Sequence, residues 1–167
     1  MNAIHLSPVE PSPAAAATRL PNFIVGGVVK GGTTSLNFSL KQHPEIYMCP
    51  LKEPRFFIYD VHDPDHVQGR GLHFPVKTWA EYVALFAEAG DQPIVGEVSP
   101  HYMISPIAPQ GIHDRLPNVR LLFSLRHPVK RAYSIYWHQM RLGNEDRPVA
   151  EALGEEEYAV THGLYAA

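Results

Sequence analysis

The sequence predicts an α/β fold with a mostly parallel sheet. Short apolar runs bounded by glycine or proline have the length of buried strands, and segments with helical spacing lie between them. Strands that alternate with helices are typical of parallel sheets, because a helix carries the chain back to the start of the next strand. The 167 residues suffice for one domain with a substantial hydrophobic core.

The first predicted unit is a strand, a glycine-rich turn and a helix. The apolar run at residues 23–25 is followed by a turn with four glycines between residues 26 and 32. Hydroxyl side chains at residues 33–35 are expected to cap a helix over residues 36–42. The apolar positions expected to pack in this helix are Leu36, Phe38 and Leu40.

The remaining elements continue the alternation. Further strands are predicted at residues 46–49, 93–98 and 119–125, of which the last has the strongest strand pattern. Thr78 is expected to cap a helix over residues 78–89, whose core face consists of Trp79, Tyr82, Val83 and Phe86. A loop is predicted over residues 62–75, and other helices near the end of residues 105–116, at 128–142 and at 149–159.

Composition excludes several classes of protein. The net charge of -3 argues against a nucleic-acid-binding surface, although a local anion site stays open. No apolar run approaches the ~20 residues that span a bilayer. The single cysteine, Cys49, excludes an internal disulfide and fits a reducing compartment. We therefore expect a cytoplasmic protein without membrane or nucleic-acid partners, and the oligomeric state is unknown.

The glycine-rich turn has the composition of a phosphate-binding loop. A strand that leads through glycines into a helix directs backbone N–H groups and the helix N-terminus at one point, which suits an anion. Compared with the nucleoside-triphosphate loop, the lysine is displaced to Lys30, and Gly32 stands where the lysine is usual. The strand at residues 119–125 is followed by Arg126 rather than by an acid that could hold Mg²⁺. The pattern therefore favours an anion held by cations and amides without a metal.

Four segments, in order along residues 22–142, resemble the sulfotransferases that use 3′-phosphoadenosine-5′-phosphosulfate (PAPS), especially the heparan-sulfate type and its bacterial relatives. They are Lys30-Gly31-Gly32-Thr33-Thr34-Ser35, Lys52-Glu53-Pro54-Arg55-Phe56-Phe57, Gly96-Glu97-Val98-Ser99-Pro100-His101-Tyr102, and Arg126-His127-Pro128 with Arg131 and Ser134. The resemblance implies the three-layer fold of P-loop nucleoside triphosphate hydrolases with a mostly parallel sheet. It also implies the N-terminal portion of a sulfotransferase domain at residues 22–167, truncated relative to the family, after a flexible leader at residues 1–21.

The resemblance also implies roles for individual residues. Lys30 would neutralise the departing phosphate, and the loop residues Gly31, Gly32, Thr33, Thr34 and Ser35 would hold the 5′-phosphate. Arg126 and Ser134 would bind the 3′-phosphate. Glu53 would be the base that deprotonates a hydroxyl or amine of a small-molecule or carbohydrate acceptor. The implied donor is PAPS, and no metal is expected.

Several of these residues could instead have purely structural roles. Glu53 could be paired with Lys52 or Arg55, and Arg131 could either help to bind the 3′-phosphate or be solvated. Arg55 stands where relatives often carry histidine, and Val98 where some carbohydrate sulfotransferases carry lysine. The roles of Glu97 and His101 stay open.

Two other functions remain open at this point. One is a P-loop phosphotransferase that uses ATP and Mg²⁺, and the other is a non-catalytic fragment that binds PAPS or its product. Residues 62–66 contain metal-ligand types, but Pro64 excludes the helical geometry of a zinc-binding histidine pair. Cys49 is expected to be a small buried side chain.

Overall fold

The computed structural model describes residues 19–59 and 73–154, which form a four-stranded, all-parallel sheet with helices around it. The strands are β1 (Phe23–Gly27), β2 (Ile46–Met48), β3 (Ile94–Val98) and β4 (Arg120–Ser124). Their order across the sheet is β2-β3-β1-β4, and every neighbouring pair is parallel. The predicted α/β class and all four predicted strands are confirmed.

Helices occupy the connections between the strands. They are α1 (Thr33–Leu40), α2 (Trp79–Ala84), α3 (Ala108–Arg115), α4 (Pro128–Leu142) and α5 (Val149–Ala152), with short 3-10 helices at Phe56–Ile58 and Pro100–Ile104. The predicted leader lies outside the described residues except at 19–21, where Arg19 donates a hydrogen bond to the Gly90 carbonyl. Residues 62–72 of the predicted loop at 62–75, which include the possible metal ligands at 62–66, also lie outside the described residues, as do residues 155–159 of the predicted helix at 149–159.

The sheet has a hydrophobic cluster on each face, which gives three layers. Successive residues of β1 point to opposite faces, so that Ile24 joins the larger cluster and Val25 the smaller one. The larger cluster contains Tyr82 and Phe86, both fully buried, as the sequence predicted. The smaller cluster packs against apolar residues of α1.

Two predictions about α1 are wrong. The helix begins at Thr33, and its N-cap is Gly32 without a side-chain cap hydrogen bond, so the hydroxyls at residues 33–35 belong to the first turn. Phe38 is 69% exposed rather than packed, because positions two apart lie on different sides of a helix. By contrast, Thr78 caps α2 as predicted, and it does so with a reciprocal capping box that includes Glu81.

Strand β4 lies at the edge of the sheet and is largely exposed. The exposed apolar side chains of this strand and of α4 include Leu121, Leu122, Phe123, Val129, Tyr133 and Trp137. The strand is strongly apolar but contributes less to the core than β1 and β3, because it pairs with a neighbour on one side within the described sheet.

The end of β1 requires glycine, and we expect Gly27→Ala to destabilise the fold strongly. Gly27 has φ 135°, and a Cβ there would lie 2.3 Å from the Ser124 carbonyl oxygen of β4. The matched control is Gly32→Ala, where φ is also positive at 98° but a Cβ meets nothing within 4 Å. Thermal or urea unfolding should show a loss above about 2 kcal/mol for the first variant and about 1 kcal/mol for the second. Equal losses would contradict the steric argument.

Candidate functional site

The sheet brings the predicted site residues to one edge. Lys30 follows β1, Glu53 follows β2, His101 follows β3 and Arg126 follows β4. Because all four strands are parallel, their carboxyl ends lie on the same side of the molecule, where open α/β sheets bind ligands. Residues from four separate segments of sequence therefore line one cleft of about 820 Å³.

The turn after β1 forms one wall of this cleft. Lys30 adopts the left-handed conformation with φ 66°, and Gly32 follows with φ 98° as the N-cap of α1. The N–H groups of the first turn of α1 have no carbonyl four residues earlier within the helix, so they are available to an anion. The Gly31 N–H instead donates to the Val28 carbonyl at 2.9 Å. This narrows the predicted amide cradle, which included Gly31, to residues 32–35.

The end of β4 is joined to the same turn by hydrogen bonds. The Arg126 Nη1 atom donates to the Lys30 carbonyl at 3.2 Å, and the Ser124 hydroxyl donates to the Gly31 carbonyl at 2.8 Å. Arg131 is buried, and its Nε donates to the Val29 carbonyl at 3.1 Å, so the solvated reading of this arginine is wrong. The lysine-bearing turn and the arginine after β4 therefore lie side by side.

The cleft is cationic although the chain is acidic overall. Among the described residues that line it, four are lysine or arginine, namely Lys30, Lys52, Arg55 and Arg126, and one is a carboxylate, Glu53. Burial, followed by the charges of Arg141, Arg126 and Lys52, lowers the pKa of Lys30. Burial and neighbouring positive charges destabilise the charged form of Lys30, and a bound anion would stabilise it. The cleft therefore suits an anionic ligand.

Helix α4 supplies further polar residues to this wall. Ser134, one of the predicted ligands, lines the cleft together with His138, and Arg141 lies one turn further along. Burial, then the charges of Lys30 and Arg141, lower the pKa of His138. Sequence reasoning missed His138 and Arg141, although their spacing of four and seven residues from Ser134 puts all three on one helical face.

Glu53 stands on the opposite wall, paired with two cations. Its carboxylate accepts from the Lys52 ammonium on one oxygen and from the Arg55 guanidinium on the other. The Nδ1 atom of His101 lies 3.8 Å from the second oxygen. Burial raises the pKa of Glu53, but the two hydrogen-bonded cations outweigh it and hold the pKa below its ordinary value. Both pairings considered from the sequence therefore occur, within the cleft itself.

Glu97 and Cys49 lie behind the cleft rather than in it. Both are buried within the sheet layers, and neither lines the cleft. Cys49 is a small buried side chain, as predicted, and burial raises its pKa to about 12. Burial also raises the pKa of Glu97 to about 7, against hydrogen bonds from neighbouring hydroxyls that lower it.

The chain is similar to known sulfotransferases in both sequence and structure. The chain is 33% identical over 117 residues to the membrane-associated sulfotransferase kil1 of Dictyostelium discoideum, a match that covers 70% of this chain and 22% of that protein. It is 35% identical over 118 residues to mouse heparan sulfate glucosamine 3-O-sulfotransferase 6, covering 71% of this chain and 30% of that protein. A solved sulfotransferase from Alicyclobacillus acidocaldarius superposes with a TM-score of 0.69 at 31% identity, over 86% of this chain and 59% of that one.

The chain belongs to the sulfotransferase family. This confirms the resemblance and the implied P-loop-like fold. No family model matches the sequence. The sulfotransferase chain spans less than half the length of each of the two curated relatives named above.

Two further findings concern the described residues of this sulfotransferase chain. No helix within residues 19–59 and 73–154 is long and apolar enough to cross a membrane. In the same part of the chain, no group of three or more His, Cys, Asp or Glu side chains has a geometry that could hold a metal ion.

Proposed function

We propose that this chain binds PAPS and transfers its sulfuryl group to a hydroxyl or amine of an acceptor. The observation that carries the proposal is the hydrogen bond from Arg126 to the Lys30 carbonyl, which unites two cationic segments in one cleft opposite Glu53. PAPS carries a phosphate at the 3′ position and a phosphosulfate at the 5′ position of its ribose. Two anion sites at adjacent strand ends suit such a molecule. Membership of the sulfotransferase family favours sulfuryl transfer over the phosphoryl transfer of the alternative.

The donor side of the site follows from the cationic wall. Amides at the start of α1 and the hydroxyls of Thr33, Thr34 and Ser35 would hold the 5′-phosphate, and Lys30 would stabilise the charge that develops there. Gly31 has no side chain and would allow the backbone to approach the 5′-phosphate closely. Arg126 and Ser134 would hold the 3′-phosphate, because arginine forms charge-assisted hydrogen bonds with phosphate. The donor supplies an activated sulfuryl group, and this role needs no metal.

The acceptor side follows from Glu53. As a base, it would accept the proton of the attacking hydroxyl or amine on a second lone pair of a carboxylate oxygen, beside the one that Lys52 or Arg55 occupies. A positively charged rim beside the base would favour an acceptor that carries anionic groups. We propose a carbohydrate as acceptor, supported by the heparan sulfate relative, although Val98 departs from the pattern of some carbohydrate sulfotransferases.

We also propose bounds for the sulfotransferase domain and a cellular location for the protein. Residues 22–167 would form the N-terminal portion of the sulfotransferase domain, supported by the run of matching segments within them. The single cysteine supports a cytoplasmic location, which cell fractionation would test.

Binding of 3′-phosphoadenosine 5′-phosphate, the product nucleotide, tests the proposed function most directly. We expect this nucleotide to raise the melting temperature equally with and without EDTA, because the cleft provides cations and amides for both phosphates. Adenosine 5′-phosphate, which lacks the 3′-phosphate, is the matched control and should give a smaller shift. A larger shift with ATP and Mg²⁺ would favour a phosphotransferase. Binding without transfer to a panel of sugars, phenols and amines would favour the non-catalytic alternative.

A further inference from the structure

A chain of hydrogen bonds leads from the buried Glu97 to the segment that carries Glu53. Glu97 lies on β3 beside Ile24 of β1 and is fully buried. One carboxylate oxygen accepts from the hydroxyls of Tyr82 at 2.9 Å and Tyr102 at 2.8 Å. The other oxygen accepts from the Ser99 hydroxyl at 2.7 Å. A buried carboxylate without a cation among these partners is costly, and the three hydroxyl donors offset part of that cost.

The segment around Glu53 adopts an unfavourable backbone conformation. Glu53 has φ 60° and Arg55 has φ 57°, both in the left-handed region that side chains other than glycine rarely adopt. The intervening Pro54 is fully buried. Conformations of this kind persist only where the surroundings hold them.

Residues at the end of β3 stabilise this left-handed conformation. The Glu53 N–H donates to the Val98 carbonyl at 2.9 Å, and the Arg55 N–H donates to the Ser99 Oγ at 3.3 Å. These two hydrogen bonds bracket Pro54 and fix the backbone on both sides of it. The orientation of the Glu53 side chain therefore depends on the last residues of β3.

Glu97 determines how the Ser99 hydroxyl is oriented. A serine hydroxyl has one proton to donate and lone pairs with which to accept. Because the proton is donated to Glu97, the lone pairs are available to the Arg55 N–H. Without the carboxylate, the hydroxyl is free to rotate and to lose this acceptor geometry.

We propose that Glu97 is a positioning residue for Glu53, acting through the Ser99 hydroxyl and the Arg55 backbone. The structural part of this inference stands on the hydrogen bonds alone, and its catalytic part rests on the proposed function. Tyr82 and Tyr102 donate to the other oxygen of Glu97 and connect it to α2 and to the 3-10 helix at Pro100–Ile104. They provide variants that disturb the same carboxylate without breaking the path to Glu53.

Amide hydrogen exchange measured by NMR tests the structural part without any assay of activity. Ser99→Ala removes only the hydroxyl. We expect about tenfold faster exchange at the Arg55 amide, because the free energy of one net hydrogen bond corresponds to a factor of about ten in the opening equilibrium. Glu97→Gln should have the same direction of effect. Tyr82→Phe is the matched control and should leave that amide within about twofold of wild type, after correction for any change in global stability measured by urea unfolding. Unchanged exchange at Arg55 in Ser99→Ala would overturn the inference.

Kinetics then test the catalytic part. In a wild-type chain that transfers sulfate, Ser99→Ala and Glu97→Gln should lower kcat at least about tenfold and leave the Kd of 3′-phosphoadenosine 5′-phosphate unchanged, because the turn after β1 is not on this path. Tyr82→Phe should retain kcat. Loss of nucleotide affinity in parallel with kcat would indicate a general structural role and overturn the positioning role. A wild-type chain without transfer would refute the proposed function, while the exchange experiment would still decide the hydrogen-bonded path.

Discussion

Lys30→Ala is expected to abolish most transfer activity, with a loss of about 10²- to 10³-fold in kcat, as for removal of one donor to a developing oxyanion. The ammonium lies in the turn between β1 and α1 and faces the cleft, near the cations Arg126 and Arg141. Steady-state kinetics with PAPS would measure the loss. The control is Lys41→Ala, an exposed lysine at the other end of α1, which should retain full activity.

Arg126→Ala belongs to the same prediction, at the other end of the nucleotide. Hydrogen bonds to a charged group contribute about 1.5–3 kcal/mol, so the nucleotide should bind roughly 10- to 150-fold more weakly by calorimetry. Arg120→Ala, at the opposite end of β4, serves as the control because its side chain is exposed and outside the cleft. An unchanged Kd in Arg126→Ala, or unchanged kcat in Lys30→Ala, would refute the assigned site.

Glu53→Gln is expected to lower kcat by about 10²- to 10⁴-fold while nucleotide binding persists, as for loss of a general base. Glutamine keeps the shape of the side chain and removes its capacity to accept a proton. Kinetics and calorimetry on the same preparation would separate the two quantities. Glu88→Gln, an exposed carboxylate beyond α2, is the control. Full activity in Glu53→Gln would exclude this residue as the base.

The pH dependence offers an independent check on Glu53. The paired cations hold the pKa of this carboxyl below its ordinary value, so the acid limb of the activity profile should lie at low pH, where the carboxylate takes up a proton. Arg55→Gln removes one cation, which favours the neutral form and raises the pKa. The acid limb of the kcat profile should then move to higher pH. A shift to lower pH would contradict the ion pair as its cause.

Much of the fold could be predicted from the sequence because local patterns and tertiary structure agree. Apolar runs such as Ile24-Val25 read as strands, and they occur as strands in a parallel sheet. The capping box at Thr78 and Glu81 was predictable because it depends on two residues three apart. The start of α1 was not, since a glycine N-cap at positive φ depends on the path of the whole turn.

The residues that line the cleft could be predicted better than their arrangement within it. Lys30, Glu53 and Arg126 were found by their motifs, yet their shared edge follows from the strand order. The double pairing of Glu53 depends on two cations that converge in space. The path from Glu97 to Arg55 joins residues 42 positions apart through a hydroxyl, and no spacing rule predicts such a contact.

The two proposed phosphate sites lie at the ends of strands that differ in burial. Lys30 and His101 extend from β1 and β3, which lie inside the sheet with buried side chains, whereas Arg126 extends from a border strand that is open to solvent. Backbone hydrogen bonds near solvent open more readily than those in the interior. Thermal fluctuation should therefore be asymmetric, so that the 3′ end of a nucleotide meets a compliant surface and the 5′ end a rigid one.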